Sequence, residues 1–200
     1  MTKEKQLFYM MKNNNGYITN KAAQEAGITS FFITKFVREN KLEKIDRGFY
    51  AHSSWPIDEY LVFQKRYPRY IYSFYSALFL HGLTDKLVSE KEVTAPNGYH
   101  PYRQKPVGTT IHIERDIEIF EMGIIEVKTM YGNRVRVYDI EKTICDLVKN
   151  RDKIDSETFV KAMRNYAARK EKNGVVLMKY AKALGIEKEV FEIMEIIDNP

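Results

Sequence analysis

The sequence holds a single cysteine, Cys145, so it can form no intrachain disulfide and offers no set of thiolates to a structural zinc. A lone thiol suits a reducing compartment, and its expected role is core filling. No stretch approaches the roughly 18 apolar residues that a membrane-spanning helix needs. The opening MTKEKQLFYMMKNNN has only a short apolar patch between charged and amide residues. A cytoplasmic protein with no membrane partner is therefore expected. Glycines are scattered: Gly82, Gly98, Gly108 and Gly123 stand singly, with no cluster that cradles phosphate in the Walker or dinucleotide manner. His52, His81, His100 and His112 lie far apart without metal-ligand spacing, and no serine sits in a Gly-x-Ser-x-Gly turn. Neither a metal nor a cofactor is expected, and there is no internal repeat or low-complexity segment.

Apolar residues make up 44% and charged residues 30% of the chain, the balance of an ordinary globular protein. The net charge of +5 is unevenly spread. Residues 1–55 carry 9 Lys and Arg against 5 Asp and Glu, residues 56–150 carry 13 against 13, and residues 151–186 carry 9 against 4. The last fourteen residues reverse the sign, with 1 against 5. Two basic blocks flanking a neutral middle suit a polyanion touched by both. Two solvated helix faces are the plainer reading.

The spacing of Leu7, Phe8 and Met11 predicts a helix over residues 3–12 that ends at the Asn13-Asn14-Asn15-Gly16 turn. Thr19 is placed to cap a second helix over residues 20–26, with Ala22, Ala23 and Ala26 as its slim buried face. After Gly27, Thr29 or Ser30 starts a third, whose stripe of Phe32, Ile33, Phe36 and Val37 leaves Phe31, Thr34, Lys35 and Arg38 projecting the other way. Two short alternating runs around Arg47-Gly48 then read as a hairpin. Such an order is that of a winged helix-turn-helix, and duplex DNA is the expected partner. Thr34, Lys35 and Arg38 are the expected base readers, Thr19, Asn20 and Lys21 would face phosphates, and Lys44 and Arg47 would meet the neighbouring backbone. Any one of these lysines alone is a plain surface residue; only their convergence on one module gives them weight.

Trp55-Pro56 marks an expected boundary between residues 1–55 and a second domain over residues 56–200. There, Ser73 is an expected helix cap, strands are expected near residues 70–72, 92–95, 110–114, 124–130 and 134–138, and helices begin at Asp139, at Asp155 or Ser156, at Gly174 and at Glu187. The fold class expected is α+β: a winged helix-turn-helix followed by a mixed α/β domain with a helical tail. Phe159, Met163 and Tyr166 form the stripe of a helix running to about Lys172, while Lys161, Arg164, Arg169, Lys170 and Lys172 cover its other faces as a candidate second DNA-contacting surface. Glu126-Val127-Lys128 on a strand, with Asp116 upstream, matches the acid, acid, lysine set of metal-dependent nucleases. The same alternation is the ordinary solvent face of a sheet with Ile125 and Val127 in the core. The aromatic loop over residues 97–103 is a candidate contact surface.

Three motifs in order carry a resemblance: Ile45-Asp46-Arg47-Gly48-Phe49-Tyr50 closing the first module, Ser76-Ala77-Leu78-Phe79-Leu80-His81-Gly82-Leu83-Thr84, and Tyr138-Asp139-Ile140-Glu141-Lys142-Thr143-Ile144-Cys145-Asp146-Leu147. The chain resembles the AbiEi family of antitoxins over nearly its whole length. The resemblance implies a two-domain antitoxin of a bacterial toxin-antitoxin system for abortive infection against phage. Its first module represses its own operon by binding promoter inverted repeats, and its second domain counters a nucleotidyltransferase toxin, with which it need not form a stable complex. The resemblance implies no catalytic residues. A sequence-targeted nuclease and a ligand-sensing transcription regulator are the competing readings.

Overall fold

The computed structural model describes residues 1–86, 90–99 and 106–198, and over these the chain is a mixed α+β protein with two sheets. Short polar caps start its helices where apolar residues recur at helical spacing. Thr2 accepts from the Lys5 amide to open α1 (Lys3–Asn13), which buries Leu7 and Met11. The asparagine turn leads into β1 (Tyr17–Thr19), and the Thr19 hydroxyl accepts from the Ala22 amide to open α2 (Asn20–Glu25). Then follow α3 (Ser30–Glu39), β2 (Glu43–Asp46) and β3 (Phe49–Ala51). In the antiparallel sheet β3 lies between β1 and β2, with Tyr50 opposite both Ile18 and Lys44. Leu7, Met11, Ile18, Ile28, Ile33 and Phe36 belong to one buried cluster. Two details differ from expectation. Ala26 is exposed, because α2 stops at Glu25 and Gly27, at φ +78°, turns the chain there. Phe8 stays 41% exposed and meets Phe36 edge-on, with ring centroids 4.9 Å apart.

Asp58, only 1% exposed, opens α4 (Glu59–Arg66). One carboxylate oxygen accepts from the Tyr60 and Leu61 amides at 3.1 and 3.2 Å. The other accepts from the Thr129 hydroxyl at 2.5 Å and the Asn133 side-chain amide at 2.8 Å, and the Asp58 amide donates to the Tyr17 hydroxyl at 2.6 Å. Thr129 and Asn133 lie between β7 (Ile124–Lys128) and β8 (Arg134–Tyr138). Contacts divide the chain into a unit of residues 1–66 with 128–135 and a unit of residues 67–127 with 136–200. The first unit thus runs past the boundary expected at residue 55, and the bonds to Asp58 are the reason.

In the second unit the sheet order is β6-β5-β4-β8-β7, built from β4 (Ile71–Tyr72), β5 (Lys91–Pro96), β6 (Thr109–Glu114), β8 and β7. β5 runs antiparallel to β4 and parallel to β6, with Val93 opposite Ile111, and β4 runs parallel to β8. Between β4 and β5 lies α5 (Phe74–Leu80). Ser73, its expected cap, makes no capping bond; Glu92 does so instead, its carboxylate accepting from the Tyr75 amide at 3.1 Å. A short helix that sequence spacing did not predict, α6 (Ile117–Glu121), is capped by Asp116, and a single helical turn over Arg151–Lys153 was also unforeseen.

The helical tail comprises α7 (Ile140–Lys149), α8 (Ser156–Ala167), α9 (Gly174–Leu184) and α10 (Glu187–Asp198). Asp139, Asp155 and Asn173 cap the first three, accepting from the Lys142, Thr158 and Val176 amides. α7 is the central helix of the unit, with every residue from Lys142 to Val148 buried. Phe159, Met163 and Tyr166 of α8 bury as their spacing predicts. α8 ends at Ala167, short of the expected Lys172, because the chain must turn to present Asn173 as the cap of α9. No helix among the described residues is long and apolar enough to cross a membrane.

Two outcomes follow for stability. Asp58→Ala leaves two helical amides, a hydroxyl and a side-chain amide without their acceptor in a buried place, at a cost of about 2–4 kcal/mol in chemical denaturation. Exchange of the amides of residues 129–133 should accelerate with it; unchanged protection there would show the network to be incidental. Acid should act through Asp155. Its hydrogen bonds from the Tyr75 hydroxyl, at 2.6 Å, and from the Thr158 amide hold its carboxyl down at about 2, below the ordinary 3.8. A carboxyl with a depressed folded-state value stabilises the fold above its unfolded value, and that contribution is lost as pH falls from about 4 toward about 2. Asp155→Asn keeps a capping side chain but removes the titration, so its stability should fall less steeply across that window in acid titrations followed by circular dichroism.

Candidate nucleic-acid interface

α3 divides its side chains by face. Ile33 and Phe36 are buried and Phe32 and Val37 pack partly buried against the first unit's core, while Thr34, Lys35 and Arg38 are exposed and Phe31 is 81% exposed. The Thr34 hydroxyl donates to the Ser30 carbonyl at 3.0 Å. Lys35 lies 3.8 Å from Glu39 with both side chains about half exposed, a pair that water screens and that leaves the ammonium available. Arg38 makes no ion pair among the described residues. The Gln24 amide donates to the Ser30 hydroxyl at 2.7 Å and so fastens the end of α2 to the start of α3.

The hairpin turn sits against the start of α2. The Gly48 carbonyl accepts from the Asn20 amide at 2.8 Å, and Gly48 holds φ +69° with the Asn20 side chain 3.2 Å from where a Cβ would stand. Only glycine combines that backbone with that approach. Thr19, Asn20, Lys21 and Arg47 are thereby brought together. Thr19 already uses its hydroxyl as a cap, and the Asn20 side-chain oxygen is buried without a hydrogen-bond partner among the described residues. Lys21 is exposed and 3.9 Å from Glu25; Lys44 and Arg47 are exposed on the hairpin. Asp46, which could neutralise them, is instead turned to Arg66, whose guanidinium at 2.8 Å holds its carboxyl below the usual range. Of the eight residues expected at this surface, six are exposed and two, Thr19 and Asn20, are half-buried parts of its framework.

The second basic block is divided in its use. Lys161, itself exposed, pairs with Asp85 at 2.5 Å, and half-buried Arg169 donates to the His81 carbonyl; Arg164, Lys170 and Lys172 are exposed. The nuclease-like set is placed differently from expectation. Asp116 accepts from the Glu118 and Ile119 amides at 2.8 and 3.2 Å, Glu126 and Lys128 are exposed, and Ile125, expected in the core, is 39% exposed. Ile124 packs partly buried against Ile71, Phe120 and Tyr138, and Val127 is half-buried, so the strand keeps no simple alternation of inner and outer residues. No group of three His, Cys, Asp or Glu side chains among the described residues is arranged to hold a metal ion. Of the aromatic loop, residues 100–103 lie outside the described residues; Tyr99 is packed, edge-on to Tyr70 and under Arg69.

The later motifs interlock as framework. His81 donates from Nε2 to the Tyr138 carbonyl at 2.7 Å, and burial pushes its imidazole down toward the neutral form. Asp139 accepts from the Tyr180 hydroxyl, Glu141 accepts from the Asn173 amide at 2.8 Å, and Lys142 pairs with Asp146 at 2.6 Å. Burial pushes the Cys145 thiol up to about 12, as befits core filling. The Asp58 network and the capping role of Glu92 escaped sequence reasoning. An aspartate ahead of α4 is a visible cap pattern, but nothing in the spacing couples it to Thr129 and Asn133.

No model of a known protein family matches the chain, and no curated protein matches it. Among solved structures it is similar to one described as the crystal structure of the RV2827C protein from Mycobacterium tuberculosis, with a TM-score of 0.55 and 12% sequence identity. The match covers 99% of this chain and 77% of that one, and at such identity it is a likeness of fold.

Proposed function

We propose that this chain is a DNA-binding antitoxin of the AbiEi type that represses its own operon. The observation that carries the reading is the exposed, cationic face of α3 in a unit whose hairpin turn abuts the start of α2. In this reading α2, α3 and the hairpin are a winged helix-turn-helix. α3 enters the major groove, where Thr34, Lys35 and Arg38 reach base edges and the Phe31 ring can meet a thymine methyl. Lys21, Lys44 and Arg47 hold phosphates and set the register, and Asn20 steadies the wing. Arg164, Lys170 and Lys172 supply a second phosphate-contacting surface, which lets two copies occupy neighbouring repeats. The second unit carries the activity against a nucleotidyltransferase toxin encoded beside this gene.

Fluorescence anisotropy on the DNA upstream of the gene, against a random duplex of equal length, tests the DNA half. Arg38→Ala and Lys35→Ala should each cost roughly 1–3 kcal/mol on the upstream fragment and less on the random one. Lys44→Ala and Arg47→Ala should weaken both alike and lower the salt slope by about one each. Equal losses on both duplexes for Arg38→Ala would remove it from base reading. Co-expression with the neighbouring toxin gene tests the other half: the full chain should restore growth, and Arg38→Ala should keep that rescue while a promoter reporter loses repression. Absence of rescue by the unaltered chain refutes the antitoxin assignment.

A further inference from the structure

The second unit carries a partly open cavity of about 310 Å³ that neither the DNA-binding nor the antitoxin reading uses. Lys142 and Asp146 of α7, Glu114 of β6, and Lys149 and Lys153 line it, with the rings of Phe74 and His112 forming an aromatic wall at a centroid separation of 4.0 Å. Lys142 and Asp146 are buried, whereas Lys149 and Lys153 are exposed and reach the cavity from the solvent side.

Four features set this place apart. The Lys142 ammonium, its side chain 4% exposed, has three N–H donors and uses one of them on Asp146, while its charge lies 4.5 Å from the Tyr138 ring centroid. Lys149 and Lys153 form no salt bridge among the described residues, so three ammonium groups converge on the space against two carboxylates. Glu114 turns one oxygen to the Arg115 and Asp116 amides, at 2.7 and 3.0 Å, which fixes its side chain. Phe74 holds φ +47°, a conformation that residues with a Cβ rarely adopt, and strained backbone of this kind gathers at binding sites. A buried ion pair adds little to stability over apolar residues of equal volume, so its place on the wall of a cavity calls for another role. The volume lies at the small end of the range for small-molecule sites.

We propose that this cavity binds a small phosphate ester, with its phosphate held by Lys149, Lys153 and the remaining donors of Lys142 and its hydroxyl or amino groups turned to Glu114. Two exposed lysines match a dianionic phosphate, and the buried third supplies directional donors at the inner end. The aromatic wall accepts the flat or apolar part of the ester.

The test is thermal unfolding of the full chain with adenosine monophosphate, glycerol 3-phosphate or adenosine, each against sodium chloride of equal ionic strength. At least one ester should raise the midpoint saturably, by roughly 3–6 °C at ten times its dissociation constant, while adenosine does not. The rise should vanish in Lys149→Gln/Lys153→Gln, whose exposed side chains leave the core intact, and persist in Lys35→Gln/Arg38→Gln. No rise with either ester, or an equal rise in Lys149→Gln/Lys153→Gln, overturns the proposal. Loss of the rise in Lys35→Gln/Arg38→Gln instead would place the phosphate on α3 and overturn it too. Because DNA binding is read with other residues, failure here leaves the operator measurements intact.

Discussion

The first unit depends on one buried side chain. Asp58 receives two helical amides, a hydroxyl and a side-chain amide on its carboxylate, and its own amide reaches the Tyr17 hydroxyl. A carboxylate taken out of water without such donors would be strongly destabilising; with them it fixes three stretches of chain at once. It starts α4, holds β1 through Tyr17, and draws in Thr129 and Asn133 from more than seventy positions away. Tyr17 also stacks on Phe49, at a centroid distance of 5.2 Å, so the same network reaches the strand that centres the three-stranded sheet. The hairpin that presents Lys44 and Arg47 is therefore mounted on a strand with a rigid neighbour, which is what a contact surface built from long side chains requires.

The second unit is organised by a different use of charge. α7 runs through the middle of the helical tail and buries Lys142 and Asp146 one turn apart, along with Ile144, Cys145 and Leu147. Burial raises the Asp146 carboxyl, and the Lys142 and Lys149 ammonium groups oppose that rise. Where Asp58 is satisfied by neutral donors at a junction of strands, Asp146 is satisfied by a cation on its own helix, and so constrains no distant segment. Its pairing with Lys142 keeps charge beside an open space and leaves the surrounding packing to apolar residues.

What could be read from sequence and what could not divide along the same physical line. Period and caps are local: the stripe of α3, the turn at Arg47-Gly48, and the caps at Thr19, Asp139 and Asp155 all stand where residue spacing placed them. The exposure of Thr34, Lys35, Arg38, Lys44 and Arg47 follows from that same periodicity. What depends on distant partners was not legible. Ser73 has the residue type of a cap, yet Glu92, seventeen positions from the amide it accepts, does the capping. Ile125 and Val127 alternate as an inner face should, but only Val127 is half-buried while Ile125 is exposed, and Ile124 packs against Ile71, Phe120 and Tyr138 instead. Asp116 looked like one member of an acidic set and serves as the cap of a five-residue helix too short to show a period.

Two of the places where this chain is read as meeting phosphate, α3 with the hairpin and the cavity of the second unit, follow opposite physical designs. On α2, α3 and the hairpin the cations are exposed; Glu39 at 3.8 Å from Lys35 and Glu25 at 3.9 Å from Lys21 form pairs that water screens, and Asp46 is held by Arg66, so in the proposed reading these side chains follow a backbone of repeating charge with an affinity that comes from counterion release and falls with salt. In the second unit the inner cation is desolvated, fixed by Asp146 and a tyrosine ring, and able to offer donors in set directions. Such a site meets one phosphate rather than a row of them, so it loses less to salt, and it discriminates by shape and hydrogen bonding. Salt therefore separates them: added sodium chloride should erode the response to duplex DNA long before it erodes a response to a phosphate ester in the cavity. A shared salt dependence would mean that both probes were being held on one exposed surface.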